Sequence, residues 1–96
     1  MYAKGRGVAI DPKVAAKLFE SAANKGLSVA QHNFAVILAE GDGRPRDLVA
    51  AYVWFTRAGE KLEISRQYRD RIEPLLTAEQ VASARKIADA GRNGNS

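Results

Sequence analysis

The chain contains a copy of itself. Gly5 to Ala23 reads GRGVAIDPKVAAKLFESAA, and Gly41 to Gly59 reads GDGRPRDLVAAYVWFTRAG. At an offset of thirty-six residues Gly5 falls on Gly41, Gly7 on Gly43, Asp11 on Asp47, Ala15 on Ala51, Phe19 on Phe55 and Ala22 on Ala58. Leu18 falls on Trp54, a large apolar side chain in both copies. A fixed period of this length is the signature of stacked helical units, each of which buries its apolar face only against its neighbours.

Each part of the copy has a physical role. The Gly-x-Gly pair ends one helix and turns the chain, because glycine adopts positive φ without steric cost. Asp11 and Asp47 stand as helix N-caps, their carboxylates accepting the free N–H groups of the first turn. Pro12 at the first helical position loses nothing by lacking an N–H. Ala15, Leu18, Phe19 and Ala22 then share one helical face, and Ala51, Trp54, Phe55 and Ala58 repeat it. That face is expected to be buried, the alanines admitting a neighbouring helix and the larger pair filling the space behind them.

The pattern G-x-G-x-x-x-D-x-x-x-A-x-x-[LW]-F-x-x-A-[AG] resembles the Sel1-like repeat, a relative of the tetratricopeptide repeat. Ala30-Gln31-His32-Asn33-Phe34-Ala35 resembles the first helix of such a unit, with Phe34-Ala35 where the family usually has a leucine–glycine pair. The resemblance spans the duplicated part of the chain. It implies an all-α fold, an α-solenoid of antiparallel helix pairs whose curved surface serves protein–protein contacts. It also implies that the first helix of each pair lines the concave side.

Composition narrows the choices further. The 96 residues suffice for two to three such units, and a 46% hydrophobic fraction supplies a core. Net charge is +4, with basic and acidic residues interspersed and no basic run of the kind that marks a nucleic-acid arm. A mild preference for acidic partners is what this charge supports. The absence of cysteine excludes disulfides and thiolate metal sites, and sets the chain apart from the cysteine-rich secreted members of the Sel1-like group. No apolar run reaches membrane-spanning length, and MYAKGRG is too short and polar for a signal peptide. The compartment stays open.

Taken in order, Met1 to Lys4 align with Ile37 to Glu40, the last turn of a helix, so the chain is expected to begin inside a repeat. Helices are expected from Asp11 to about Lys25, from Ser28 to Glu40 and from Asp47 to Ala58. Ser28 and Gln31 fit an S-x-x-Q capping box. After Gly59 the copy degrades. Leu62 to Glu73 still reads as a helix, with Ile64, Tyr68, Ile72 and Leu75 on one side and Pro74 at its end. Thr77 and Gln80 form a second capping box that opens a helix to about Ala90, with Val81, Ala84, Ile87 and Ala88 inward and Gly91 as its stop. The expected organisation is a single domain over 1–91, made of a partial unit at 1–26, a full unit at 27–60 and a capping helix pair at 61–91. A polar, disordered tail is expected at 92–96.

The search for chemistry finds little. His32 is the sole histidine, sits off the expected buried stripe and has no metal or triad partner at recognisable spacing, so a solvent-facing or groove-facing residue is expected. Gly5-x-Gly7 and Gly41-x-Gly43 lack the third glycine or the Gly-Lys-Ser/Thr of a phosphate loop. Asp42-Gly43 lacks the spaced acids of a calcium loop. Glu60 and Glu63 stand among Lys61 and Arg66, and Arg66, Arg69 and Arg71 among Glu63, Asp70 and Glu73, as on a solvated, salt-bridged surface. Trp54 occupies a repeat position and is expected in the core. No catalytic residue, cofactor or metal ligand is assigned.

These readings favour a non-enzymatic interaction module that binds a partner protein or peptide on the concave face. The alternatives are a small hydrolase-type enzyme, for which no nucleophile–base pair is visible, or a fragment of a larger Sel1-like regulatory protein. Side chains on the second face of the Ser28–Glu40 helix, namely Val29, His32, Val36 and Glu40, are the candidate partner contacts, and Lys4, which aligns with Glu40, borders them. Neither a nucleic acid nor a membrane is expected as partner. An N-terminal end that lacks its covering helix is expected to pair with a second copy, most simply in a two-fold dimer.

Overall fold

The computed structural model describes residues 11–93, with side-chain surroundings for 11–90. Five α-helices follow one another, α1 (Pro12–Asn24), α2 (Ser28–Glu40), α3 (Leu48–Ala58), α4 (Glu63–Ile72) and α5 (Ala78–Asn93). A 3-10 turn, Glu73–Leu75, sits between the last two. The result is an all-α solenoid. The chain departs from the expected tail in one respect, because α5 runs through Gly91 to Asn93. A single glycine weakens a helix interior by about 1 kcal/mol, which does not stop a helix that is already anchored.

The helix starts follow their caps. The Asp11 carboxylate accepts from the Lys13 backbone N–H at 2.9 Å, and the Asp47 carboxylate accepts from that of Ala50 at 3.0 Å. At α5 the capping box closes in both directions, Gln80 N–H donating to the Thr77 hydroxyl at 3.0 Å and Thr77 N–H to the Gln80 amide oxygen at 2.9 Å.

The capping box expected at Ser28 does not form. Ser28 is already helical, and Leu27 takes the cap position without a side-chain bond. The preceding turn explains the difference. Gly26 adopts φ 90°, its N–H donates to the Ala23 carbonyl and the Leu27 N–H to that of Ala22, which is a Schellman closure of α1. Leu27 therefore ends one helix and begins the next. The Gln31 amide reaches back to the Ala23 carbonyl at 3.3 Å and satisfies part of the C-terminus of α1.

The turn from α2 to α3 is tighter. Gly41 (φ 77°) and Gly43 (φ 84°) are both left-handed, and Asp47 N–H closes the loop on the Leu38 carbonyl at 2.8 Å. A Cβ on Gly43 would overlap the backbone carbonyl of Pro12. This loop thus lies against the start of α1, an approach that only glycine permits. The corresponding Gly5 and Gly7 lie outside the described residues.

The core sits around α3, which packs on α2, α4 and α5. Ala51, Tyr52, Val53, Phe55 and Ala58 are all buried, so α3 is apolar on most sides, as a central helix must be. On one side it meets Ala30, Phe34, Ala35 and Leu38 of α2, on the other Ala84 and Ala88 of α5. Tyr52 joins the second interface by donating to Glu73 at 3.0 Å and accepting from Arg85 at 3.2 Å.

Several expected faces are rotated. In α1 the buried residues are Ala16 and Ala23, Phe19 and Ala22 are half-buried, and Leu18 is 62% exposed. Trp54 is half-buried and not a core residue; its edge meets Phe34 with ring centroids 5.6 Å apart, and the Arg57 guanidinium lies over it at 4.8 Å. In α4 and beyond, Ile64 and Leu75 are exposed while Ser65 is buried. In α5 Ile87 is exposed, leaving Val81, Ala84 and Ala88 inward. In α1, α3 and α5 one physical reason applies. Alanine-rich contacts let helices approach closely, and a larger residue one position away on the wheel is pushed to the shoulder.

Gly26 and Gly43 allow backbone strain to be separated from crowding. Both have positive φ, but a Cβ on Gly26 would meet open space. Gly26→Ala should cost about 1 kcal/mol, and Gly43→Ala roughly 2–4 kcal/mol, in thermal or denaturant unfolding. Equal costs would show that the Pro12 contact is not rigid.

Candidate interaction surface

An apolar groove of about 630 Å³ lies between α1 and α2. Ala15, Leu18, Phe19 and Ala22 form the α1 wall; Leu27, Val29, Ala30 and Asn33 form the other. Leu18, Leu27 and Val29 stand at its lips, each more than half exposed. The α1 wall is less covered than the matching face of α3. Ala51 and Ala58 are fully buried, whereas their counterparts Ala15 and Ala22 are only half-buried.

The candidate contacts of α2 divide. Val29 is exposed on the groove and Glu40 is exposed at the far end of the helix. Val36 is half-buried against the core. Lys4 lies outside the described residues. His32 corrects the expectation of a solvent-facing or groove-facing side chain. Its Nδ1 is 2.8 Å from the Ser65 hydroxyl, and its ring makes edge contacts with Phe55 at 5.4 Å and Tyr68 at 4.9 Å. Burial alone holds its pKa below the ordinary value.

His32 and Ser65 have the elements of a nucleophile–base pair, but Ser65 has no exposed surface from which to reach a substrate. The pair instead joins α2 to α4 through a satisfied polar contact in an aromatic surround. No group of three metal-ligating side chains occurs among the described residues. The arginines of α4 are turned to their own neighbourhood. Arg66 donates to the Gly59 carbonyl, Arg69 pairs with Asp70 at 3.1 Å, and Arg71 lies over Tyr68 at 5.5 Å. A second, more polar cleft of about 590 Å³ lies between α4 and α5, where the Tyr52, Glu73 and Arg85 cluster closes one wall. No helix among the described residues is long and apolar enough to cross a membrane.

The duplicated turns, the caps and this stacking agree with comparison to known families. The Sel1 repeat model matches residues 1–27 and 28–61. The chain belongs to the Sel1 repeat family. Sel1 repeats commonly act as protein–protein interaction modules and are typically non-enzymatic scaffolds. No curated protein and no solved structure gives a match.

Leu18 and Leu27 were not among the candidate contacts. Leu18 carries the same sequence signal as Trp54, so periodicity alone places it inward. Its exposure follows from how α1 is rotated on α2, which no local pattern encodes.

The His32 contact makes stability depend on pH. Its folded pKa is depressed, so the contribution is fully present above the unfolded value near 6.5 and is lost as pH falls through the folded value. Melting temperature should decline below about pH 6.5, and His32→Phe should flatten that part of the profile. Ser65→Ala should cost about 1–3 kcal/mol at neutral pH by leaving the imidazole unpaired.

Proposed function

We propose that this protein is a non-enzymatic scaffold that takes a partner protein or peptide on the surface formed by α2 and the groove it shares with α1. The observation that carries this reading is the groove itself. An apolar channel whose lips expose Leu18, Leu27 and Val29 is the kind of patch that soluble proteins keep for an interaction. The half-buried Val36 and the exposed Glu40 extend the proposed contact towards the C-terminus of α2, and Lys4, which aligns with Glu40 in the repeat, is proposed with them. The membership of the chain in a family of interaction modules supports the same reading.

The segment from residue 61 onward serves in this proposal as the cap of a single domain. α5 presents Arg85, Lys86 and Asp89 outward, the polar outer face that closes a solenoid end. Self-association through the N-terminal end competes for the same groove.

Capture from a lysate, read by mass spectrometry, tests the surface when wild type is compared with the variant Leu18→Glu, Val29→Glu. Both residues are exposed, so circular dichroism and melting should stay within about 0.5 kcal/mol of wild type. Val36→Arg would serve less well, because Val36 packs on the core. Partners held by wild type and released by the folded variant are the expected result. An unchanged partner list would place the binding surface elsewhere.

A further inference from the structure

We propose that the contact between His32 and Ser65 is an acid-released latch, which holds α4 against α2 at neutral pH and frees α4 from the body of the fold when the imidazole takes a proton.

α4 has little to hold it. Of its residues Ser65 alone is buried, and that side chain is polar. Tyr68 and Ile72 reach the core as half-buried side chains, while Ile64 stays exposed. Among the described residues no side chain caps its first turn. A helix of 10 residues is too short to persist in water by itself, so α4 keeps its shape only while docked.

The latch spans the middle of this helix. The imidazole Nδ1 lies 2.8 Å from the Ser65 hydroxyl, and the ring stands edge-on to Tyr68 and Phe55. The two ends of α4 are tied separately. Near the first, Arg66 donates to the Gly59 carbonyl. Just beyond the second, Glu73 accepts from Tyr52 and pairs with Arg85 at 3.6 Å. The second tie joins the chain to α3 and α5, so the middle of α4 can leave without taking α5 from α3. Its release bares Phe55 and the inner side of α2, and a mild acidification thereby becomes a new apolar surface.

The surroundings of His32 disfavour an imidazolium. α3 presents Phe55 to the ring, and α4 presents Ser65 and Tyr68. The same side of α4 carries the half-buried Arg69, four residues beyond Ser65, whose charge is offset by the exposed Asp70 at 3.1 Å. The Arg71 guanidinium lies over the Tyr68 ring at 5.5 Å. Along α2 the other titratable group is Glu40, about two turns away at the exposed end of the helix. A proton on His32 therefore joins Arg69 and Arg71 on that side, inside an aromatic surround that has replaced part of the water around the ring. Ser65 can still accept from the protonated ring, so the cost is the buried charge and not a lost hydrogen bond. Burial lowers the His32 pKa, in keeping with this. The docked state binds the proton less tightly than the released one, and falling pH favours release.

Hydrogen exchange of the full chain tests the latch when read by mass spectrometry at about pH 7.5 and about pH 5.5, each corrected for intrinsic exchange rates. One proton taken up on opening raises the open population by at most about tenfold per pH unit. Protection of α4 should fall by about threefold to tenfold between the two conditions, while α3 and α5 change by less than about twofold. His32 is the sole histidine, so its ring gives one titrating NMR signal, and the Tyr68 ring signals should move with the same midpoint. His32→Phe and His32→Gln, both uncharged, should each make α4 protection independent of pH over this range.

Equal losses of protection in α3, α4 and α5 would reduce His32 to a determinant of global stability and overturn the latch. Protection of α4 that does not change with pH would overturn it as well. A pH response of α4 that persists in either folded variant would assign the effect to another group and sink the proposal. The comparison of α4 with α3 in the wild type decides even where a variant fails to fold.

Discussion

The contact on which this structure depends is the close approach of α2 to α3. Ala35, Ala51 and Phe55 are wholly buried there, with Phe34 and Leu38 nearly so. Alanine at two of these positions brings the helix backbones together, and the aromatic rings then fill the remaining space at interior packing density. Enlarging Ala35 or Ala51 would push the helices apart and loosen every contact that α3 makes beyond them. Because α3 is also the helix on which α4 and α5 rest, a disturbance on its α2 side reaches both ends of the molecule.

Among the described residues the fold closes fully around α3 and less fully around α1. α1 and α3 carry matching residues, yet α3 is enclosed by three helices and α1 rests chiefly on α2. At the closed end polar groups lock the packing. Tyr52, Glu73 and Arg85 tie α3 to the 3-10 turn and α5, and burial raises the Tyr52 pKa. His32 and Ser65 tie α2 to α4 in the same manner. Along the groove between α1 and α2 apolar side chains line the surface instead.

The turns set the geometry between these parts. Gly26 and Leu27 link α1 to α2 so tightly that one residue serves both helices. The longer turn at Gly41 to Asp47 folds back onto the start of α1 through Gly43. Arg44 extends this contact by pairing with Glu20 and lying over Phe34 at 5.1 Å. The second turn therefore holds α1 against the body of the fold.

The sequence by itself determined the repeat, the positions of the helices, the aspartate caps, the Thr77–Gln80 box and the left-handed glycines at 41 and 43. Each of these is decided by a few neighbouring residues, through φ preference or a bond within one turn, so a local pattern suffices. The tertiary structure alone decided which side of each helix faces inward. Leu18 and Trp54 lie on the shoulder of their helices, where a rotation of part of a turn separates core from surface, and that rotation is set by how closely the alanines let a neighbour approach. His32 turned inward because Ser65, thirty-three residues away, supplied a hydrogen bond, and Gln31 left its expected cap for the end of α1. The candidate surface was legible at Val29 and Glu40, which lie off the packed stripe of a single helix. Leu18 and Leu27 belong to it because α1 and α2 meet there, and that depends on the arrangement of whole elements.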